Sequence, residues 1–391
     1  MDAFEARPGD SEINFYLGRA AFETGHHEMA LMAFDRVLIA DPSALRVKLE
    51  IARVYHKLGV NDMARKYANE VLETSPPAAV RENIKKFLVV LDKGEQRHFL
   101  RGYIALGCDW DDNVLASPSN TVIRTVLGDI ILSEDSVRSK EDFIYNASAG
   151  LNHTYKSPFP NLGWKSSGNA YGADYGTQDS LDTLYLNAAT GPGFMWGNFS
   201  AGTQALGRYL ELYGEKYLSS HGMEVSLGYQ AAPWAAFETG GSFEKKRFYK
   251  IVGRDSDNTE FFFDATFLLK EFWLTAGLAF EKEAAEDEQY SYDRVSAKLT
   301  LSKELPFRFV VFGSYEFQNT NYEGIPELFG RRRKDDVHYA GTGFEKRIWA
   351  SADKRRNFLF KLAYQYTRAD SCIDLYEFDK NVIYSSLEYR F

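Results

Sequence analysis

The sequence predicts an α + transmembrane β protein, in which a short tetratricopeptide-repeat solenoid precedes an antiparallel outer-membrane β-barrel of about 14 strands. Three observations lead to this fold class. The hydrophobic period changes from 3.6 to 2 near Gly94, no apolar run reaches the roughly 20 residues of a membrane-spanning helix, and the chain ends on an alternating segment closed by Phe391. We therefore place the repeat domain at residues 1–95 and the barrel at residues 96–391.

Composition and charge exclude several classes of function. Of the 391 residues, 15% are aromatic and 26% are charged, and a transmembrane barrel shares such averages with soluble proteins because its apolar side chains alternate with polar ones. The net charge of -9 leaves no basic surface for DNA or RNA, so we expect no nucleic-acid partner. Two cysteines, Cys108 and Cys372, are too few for a disulfide scaffold or a cysteine-rich zinc site.

The first residues, Met1 to Glu5, lack the basic start and the apolar core of a signal peptide. We expect that the export signal is absent from this sequence. The location therefore has to be inferred from the barrel, which predicts the bacterial outer membrane with the repeat domain in the periplasm.

Residues 14–42 carry the pattern of small and large side chains that is typical of a tetratricopeptide repeat. The pattern consists of Leu17, Gly18, Ala21, Ala30, Phe34, Val37 and Pro42. Thirty-four residues later the same offsets hold Ile51, Ala52, Tyr55, Ala64, Ala68, Val71 and Pro76. Small residues let paired helices approach closely, and the prolines end each second helix. We expect two repeats and a capping helix at residues 81–91. This array is either a scaffold or a domain with a peptide-binding groove on its concave side.

Beyond Gly94 the side chains alternate with a period of 2, as in residues 295–301, 309–317 and 358–366. One face of these segments is rich in apolar and aromatic residues, and much of the other is polar or charged. A soluble antiparallel sheet alternates as well, so a soluble sandwich or barrel is the alternative. We favour the outer-membrane barrel because these strands follow one another with no helix between them.

The connections give the strand number. Short links at residues 191–193, 232–234, 270–271 and 305–306 predict periplasmic turns, and longer polar links predict external loops. The predicted loops lie at residues 155–180, 249–258, 282–292, 320–336 and 369–380. This order gives the strands near 97–109 and 142–154 the same direction, which requires a strand between them. Residues 122–133 are the apolar candidate, and adding them gives about fourteen strands, an even number.

The last strand alternates from Ile383 to the terminal Phe391. Tyr389 and Phe391 lie on its apolar face. A terminal Phe after outward-facing aromatic residues resembles the recognition signal of bacterial outer-membrane barrels, so we expect the barrel-assembly machinery to be a partner.

Taken together, the chain resembles the surface lipoprotein assembly modifier family, whose members join a periplasmic repeat domain to a fourteen-stranded barrel. The matching pieces are the repeats through Pro76, the junction at residues 107–114 with Asp111, Asp112 and Asn113, the segment 332–336, and the ending 364–391. The resemblance implies a translocator of type XI secretion that delivers surface lipoproteins or secreted proteins to the cell surface. It implies protein cargo, outer-membrane lipid and periplasmic chaperones as partners.

Motifs of catalysis and metal binding are missing. The sequence contains no HExxH, GxSxG or phosphate-binding loop, so we expect no enzyme activity and no cofactor. The oxygens of Asp109, Asp111, Asp112 and Asn113 are potential Ca²⁺ ligands, but the Gly and the distal Glu of a calcium loop are absent. We favour a strand-end turn with Asx hydrogen bonds and no metal. A histidine-based hydrolase remains an alternative, with His153, His221 and His338 as the histidines of the barrel.

Charged residues on the predicted lumen faces are the main site candidates, because Lys or Arg facing lipid at the midplane would cost about 2–4 kcal/mol. The candidates are Glu224, Glu238, Glu244, Lys298, Glu316, Lys361, Glu388 and Arg390. They form either structural salt bridges that fill the lumen or a polar conduit for an unfolded or partly folded passenger.

Three functions are compatible with these patterns. A cargo translocator leads, because a short repeat domain joined to a barrel suits it. An exopolysaccharide export porin with periplasmic repeats and a passive porin or scaffold are the alternatives. Cys108 and Cys372 come close if the first strand pairs with the last. They either form a disulfide or leave Cys108 facing lipid near the rim.

Overall fold

The computed structural model describes residue 7 and residues 9–133, 140–353 and 355–391, without the side chains of residues 93–95. Met1 to Glu5, where a signal peptide was sought, lie outside the described residues. The chain divides into two compact units, residues 1–96 and 97–391. The described helices of the first unit are α1 (Ser11–Glu23), α2 (His27–Ala40), α3 (Leu45–Lys57), α4 (Asn61–Glu73) and α5 (Ala78–Glu95).

The helical unit is built from two helical hairpins, α1 with α2 and α3 with α4, followed by α5. Gly18 is required at the first hairpin, since a Cβ there would lie 2.6 Å from a ring carbon of Phe34. In the second hairpin Ala68 and Val71 are buried, and Ile84 of α5 packs against them. Small residues thus lie where the helices cross, and α5 covers the apolar face of α4. The tetratricopeptide class of these hairpins stays a prediction.

Among the described residues, no helix combines the length and the apolar character needed to cross a bilayer.

Within its described residues the second unit is a closed antiparallel barrel of fourteen strands, together with a separate two-stranded hairpin. The barrel strands follow one another around the wall in chain order, and the last pairs with the first. The strands are β1 (His98–Asp111), β2 (Val122–Ile123), β3 (Ile130–Ile131), β4 (Asp142–Lys156), β5 (Leu162–Tyr175), β6 (Thr183–Trp196), β7 (Phe199–Leu212), β8 (Glu215–Ala232), β9 (Ala235–Phe248), β10 (Ser256–Leu269), β11 (Phe272–Ala285), β12 (Tyr292–Leu305), β13 (Phe309–Tyr322), β14 (Lys334–Ala350), β15 (Asn357–Ser371) and β16 (Phe378–Arg390). The predicted outer-membrane barrel and its strand number are confirmed.

Side-chain alternation separates the two faces of the wall. In β8, Met223, Val225 and Leu227 are 59%, 53% and 56% exposed, whereas Glu224 between them points to the opposite face. The same rule holds around the barrel, because residues in register on neighbouring strands share a face. The apolar face is the outer, lipid-facing one and the charged face lines the lumen, as in outer-membrane barrels.

The predicted strand at residues 122–133 is wrong. Residues 122–123 pair with residues 130–131 in a small hairpin outside the barrel wall. β1 pairs directly with β4 in antiparallel register, from His98 opposite Tyr155 to Asp111 opposite Asp142, so no strand lies between them.

The strand that completes the barrel is β5, which lies inside the loop predicted at residues 155–180. β5 was missed because its lipid-facing positions include Gly168, Ala170 and Gly172, in register with outward residues of β4. Such small side chains give no apolar alternation. The two errors cancel, so the predicted strand number is right although one predicted strand is not.

Three predicted turns, at residues 232–234, 270–271 and 305–306, are found at the end of the barrel where β1 begins and β16 ends, here called the terminal end. The predicted turn at residues 191–193 is wrong, because Gly191 and Pro192 lie inside β6. They lack registered partners on β7, yet pairing resumes in the same register at Gly193. Proline removes a ladder donor without reversing the strand. The chain turns instead at Gly197, whose φ is 57°.

Four predicted loops correspond to connections at the opposite end, here called the loop end. The connections lie at residues 249–255, 286–291, 323–333 and 372–377. The β2–β3 hairpin belongs to this end as well, since the backbone N–H of Val126 donates to the carbonyl of Leu328. The hairpin therefore packs against the loop that follows β13.

Deletion of the hairpin tests this topology. Replacement of residues 120–133 by a Gly-Ser linker should leave an inserted barrel, because the segment contributes no strand to the wall. Removal of β5 should abolish folding, because an odd number of strands cannot close antiparallel. The measurement is the heat-dependent shift in gel mobility of detergent-purified protein. Loss of this shift on deletion of residues 120–133 would show that the segment is part of the wall.

Candidate functional site

The eight charged residues singled out in the sequence lie on the lumen face of the wall. Lys298 of β12 is opposite Glu316 of β13, and the two are paired at 3.8 Å. Glu224, Glu238 and Glu244 lie on the neighbouring strands β8 and β9. The remaining three, Lys361, Glu388 and Arg390, lie on β15 and β16.

Glu244 is the most enclosed of these carboxylates, with 1% of its surface exposed. The hydroxyl of Ser220 donates to it at 2.8 Å, and Arg208 of β7 lies 3.0 Å away. A buried charge requires such partners, because removal from water is otherwise costly. Glu244 thus joins three strands of the wall.

A second network lies toward the loop end of β9–β12 and was missed in the sequence. Glu283 is buried and accepts hydrogen bonds from Lys246 at 2.6 Å and from Ser256 at 2.9 Å. Glu281 is paired with Arg294 at 3.1 Å. Strand parity was the signal that could have identified these residues, since each shares a face with the charges already selected.

Acidic side chains also lie directly opposite one another on β9–β11. Glu260 of β10 is directly opposite Glu281 of β11, and Glu238 is directly opposite Asp264. Like charges in such positions are unfavourable for a sheet. The wall of β8–β11 therefore presents an acidic, water-accessible surface rather than an apolar filling.

A polar cavity of about 430 Å³ lies on the lumen side of β1, β4, β15 and β16. Its lining consists of Tyr103, Ala105, Asn146, Ser148, Lys361, Ser386, Glu388 and Arg390. Lys361 donates to Glu388 at 2.7 Å and lies 3.5 Å from Glu345, and Arg390 also contacts Glu388. The cavity lies directly behind the junction of the first and last strands, here called the seam.

The seam has the shortest ladder among the strand pairs of the described barrel. β1 and β16 share seven registered residue pairs, whereas every other neighbouring pair shares at least twelve. Pairing stops after Gly107 and Ser386 and resumes at Trp110 and Ile383 in the same register. The ladder is therefore interrupted within the wall.

Side chains replace the missing backbone pairs at this interruption. The carboxylate of Asp109 accepts from the backbone N–H of Ser385 at 3.1 Å, and Asn146 of β4 braces it at 2.8 Å. The hydroxyl of Ser385 donates to the carbonyl of Cys108 at 2.5 Å. No water is available within a bilayer to satisfy these groups, so the substitution keeps the wall closed.

Residues 111–113, the junction motif of the sequence, fasten the loop end of the seam. The backbone N–H and the side-chain amide of Asn381 both donate to the Asp112 carboxylate at 2.7 Å. The side-chain amide of Asn113 donates to the carbonyl of Asp379 at 3.0 Å. The N–H of Asn113 donates to Asp111 at 2.9 Å, which is the Asx turn expected from the sequence. We call residues 111–113 with their β16 partners the clasp.

A further ion pair connects the hairpin region to the loop before β16. The Nε of Arg124 lies 2.9 Å from a carboxylate oxygen of the buried Asp374, and its backbone N–H donates to the same oxygen at 3.1 Å. These contacts lower the pKa of Asp374 to about 2. Asp374 therefore stays ionised across the physiological range, and the loops on both sides of the seam stay linked.

The cysteines and histidines singled out in the sequence lie apart from the charged networks of the lumen face. Cys108 and Cys372 are both free thiols, and Cys108 shares its face with the lipid-facing Leu106. His153, His221 and His338 also lie on the lipid-facing side by register. No group of three or more His, Cys, Asp or Glu able to hold a metal ion is found where the structure is described.

The buried network around Glu283 should contribute to barrel stability. Lys246→Met leaves this carboxylate without its cation and should lower the unfolding temperature in detergent, with a loss on the order of 3 kcal/mol. Lys245→Met is the matched control, because Lys245 pairs with Asp257 on the exposed outer face, where ion pairs contribute about 0–1 kcal/mol. Equal effects of the two substitutions would contradict a buried lumen network.

The Arg124–Asp374 link should persist in acid. Because its folded pKa of about 2 lies below the ordinary value of 3.8, Asp374 contributes stability that is complete above about pH 5 and is lost as pH falls toward 2. The unfolding temperature of the native protein should exceed that of Asp374→Asn by a constant margin from pH 8 to 5. The margin should shrink between pH 4 and 2. Loss of the margin above pH 5 would show that Arg124 does not hold this carboxylate.

Solved structures with a similar fold are distant. A Pseudomonas aeruginosa FadL homologue is 7% identical over 76% of this chain and 90% of its own, with a TM-score of 0.46. A loop L8 deletion mutant of OmpT, an outer membrane protein of Vibrio cholerae, is 10% identical over 76% and 100%, with a TM-score of 0.41. The anion-selective porin from Comamonas acidovorans is 11% identical over 75% and 99%, with a TM-score of 0.42. All three TM-scores are below 0.5, so these likenesses carry no argument about this protein.

No protein with a curated description matches this sequence. One family model does match, described as surface lipoprotein assembly modifier, and it covers residues 159–391. The match begins just before β5 and includes every later barrel strand. Since it spans more than half of the chain, this protein belongs to the surface lipoprotein assembly modifier family.

Proposed function

We propose that this outer-membrane protein is a translocator that delivers lipoproteins, or related secreted proteins, to the cell surface and performs no chemistry on them. The family match carries this proposal, because it names surface lipoprotein assembly and covers the barrel from residue 159 to the last residue. The matched residues lie wholly within the barrel.

The polar character of the lumen face is an argument for the proposed passage of a polypeptide. An extended chain exposes backbone N–H and C=O groups that need polar partners or water. The lumen face carries acidic and basic side chains on many of its strands, and Glu260 lies directly opposite Glu281 on β10 and β11. Such a surface remains hydrated and suits a passing polar chain.

A groove on the helical unit is an argument for the proposed role of that unit in receiving cargo in the periplasm. A groove of about 590 Å³ lies on it and combines apolar and basic side chains. Its lining consists of Phe22, Glu23, Leu49, Arg53, His56, Lys57, Val80, Asn83, Ile84 and Phe87. Apolar side chains with basic groups at the rim suit an extended, acidic peptide segment. We assign cargo reception to this groove, with the barrel-assembly machinery and periplasmic chaperones as assembly partners.

Deletion of the gene tests the proposal. Intact cells are labelled with a membrane-impermeant biotin reagent, and the labelled lipoproteins are quantified by mass spectrometry. We expect one or more surface lipoproteins to fall at least tenfold in the deletion strain and to recover with the full chain. A barrel expressed without residues 1–95 should insert but restore display poorly.

Surface polysaccharide is measured in the same strains as the control for the alternative function. Normal levels of every labelled lipoprotein and secreted protein in the deletion strain would overturn the proposal. A loss of surface polysaccharide instead would identify an export porin for that polymer.

A further inference from the structure

We infer that the seam between β1 and β16 is a lateral gate, held shut by the clasp, through which the lipid-modified segment of a cargo protein passes from the lumen into the bilayer. This inference rests on the proposed function and adds the route that the lipid moiety takes. Three independent observations carry it: the ladder of the seam, the chemistry of the clasp and the position of the polar cavity.

The ladder at the seam is the easiest to open. It holds seven registered pairs, divided by an interruption of two residues on each strand. The neighbouring pair β1–β4 holds fourteen pairs without a break. Backbone hydrogen bonds between Gly102 and Phe391 and between Asp112 and Asn381 extend this ladder at its two ends, and it is still the shortest of the described wall. Because every backbone group exposed in lipid must find a partner, the pair with the shortest ladder leaves the fewest backbone groups to satisfy when it opens.

At the interruption, side-chain hydrogen bonds stand in place of backbone pairs between β1 and β16. Asp109 and Ser385 supply the hydrogen bonds that a continuous ladder would make through the backbone. Asp109 also accepts a hydrogen bond from the side-chain amide of Asn146 on β4, the other neighbour of β1. Rotation of these side chains separates the strands here without breaking a backbone pair.

The clasp consists of polar contacts at the loop end, where water can replace them. Asp112 binds both the backbone and the side chain of Asn381, and Asn113 binds the carbonyl of Asp379. Lys380 of β16 pairs with Asp111 of β1 across the seam. These groups lose little on solvation, since hydrogen bonds to water replace those to protein. The clasp therefore holds the gate reversibly.

The position of the seam matches the chemistry of a lipid-modified protein. Its lumen side carries the polar cavity with Lys361 and Arg390, which suits the hydrated polypeptide. Its outer side carries the exposed Leu106 and Leu387, which face the bilayer, where acyl chains are stable. Acyl chains are unstable in a charged lumen, and the seam separates these two environments.

A disulfide lock tests the gate in cells. Leu106 is in register with Leu387 across the seam and with Ala147 across the neighbouring pair. Leu106→Cys with Leu387→Cys locks the seam, and Leu106→Cys with Ala147→Cys locks β1 to β4 instead. Both pairs are made in a Cys108→Ser/Cys372→Ser background, and bond formation is verified by mass spectrometry.

We expect the seam lock to reduce surface display of the affected lipoproteins at least tenfold, to the level of the deletion strain, and a reducing agent to restore it. The β1–β4 lock should leave display unchanged. Normal display with the seam bond formed would overturn the gate while leaving the proposed function intact. Equal display in the deletion and complemented strains would reject the proposed function itself.

Hydrogen exchange tests the clasp without any cargo. In purified protein in lipid nanodiscs, Asp112→Ala/Asn113→Ala should speed amide exchange at least tenfold in residues 379–391 and leave the β10–β11 pair unchanged. Asp182→Ala is the matched control, because Asp182 accepts a hydrogen bond from the backbone of Tyr175 at another strand end. Exchange in residues 379–391 that is as slow in the clasp variant as in the control would overturn the gate.

Discussion

Closure of the barrel is the constraint on which the rest of the structure depends. In lipid no water satisfies exposed backbone groups, so β1 must complete its ladder with β16, 267 residues later in the chain from Asp111 to Phe378. Every other neighbouring barrel pair joins consecutive strands of the wall, which makes the seam the pair with the longest separation in sequence. Its short ladder therefore has to be supplemented by side chains, and this requirement accounts for the buried polar residues at residues 109–113.

Closure also determines where charge can lie. A closed wall with strict alternation assigns every second residue to lipid and the others to the lumen. Glu244 and Glu283 can be buried within the wall because Arg208 and Lys246, each two strands away, reach them. Glu260 and Glu281 can lie opposite each other because Arg294 compensates the charge of Glu281. The alternation of side chains that gives the wall an apolar outer face thus also gives it a polar, hydrated lumen face.

The sequence predicted what alternation and period could reveal. The change of period, the aromatic strands and the terminal Phe391 were sufficient for the barrel and for the face of each charged residue. β5 was missed because small residues such as Gly168 and Gly172 carry no apolar signal. Residues 122–133 were misplaced because an apolar hairpin outside the wall has the same composition as a strand. The networks at Glu283 and at the seam depend on register between strands, which a single sequence does not contain.

The junction motif at residues 111–113 makes its contacts with β16 only because the barrel is closed. In the sequence, the oxygens of Asp109, Asp111, Asp112 and Asn113 were potential Ca²⁺ ligands, but the Gly and the distal Glu of a calcium loop were absent and a strand-end turn was favoured. In the fold, the turn itself is local, from Asn113 to Asp111, but the remaining contacts reach Asn381 and Asp379 at the far end of the chain. A carboxylate and an amide suit this task because each offers two hydrogen-bonding atoms on a short side chain. The same residues that end the first strand thus secure the last.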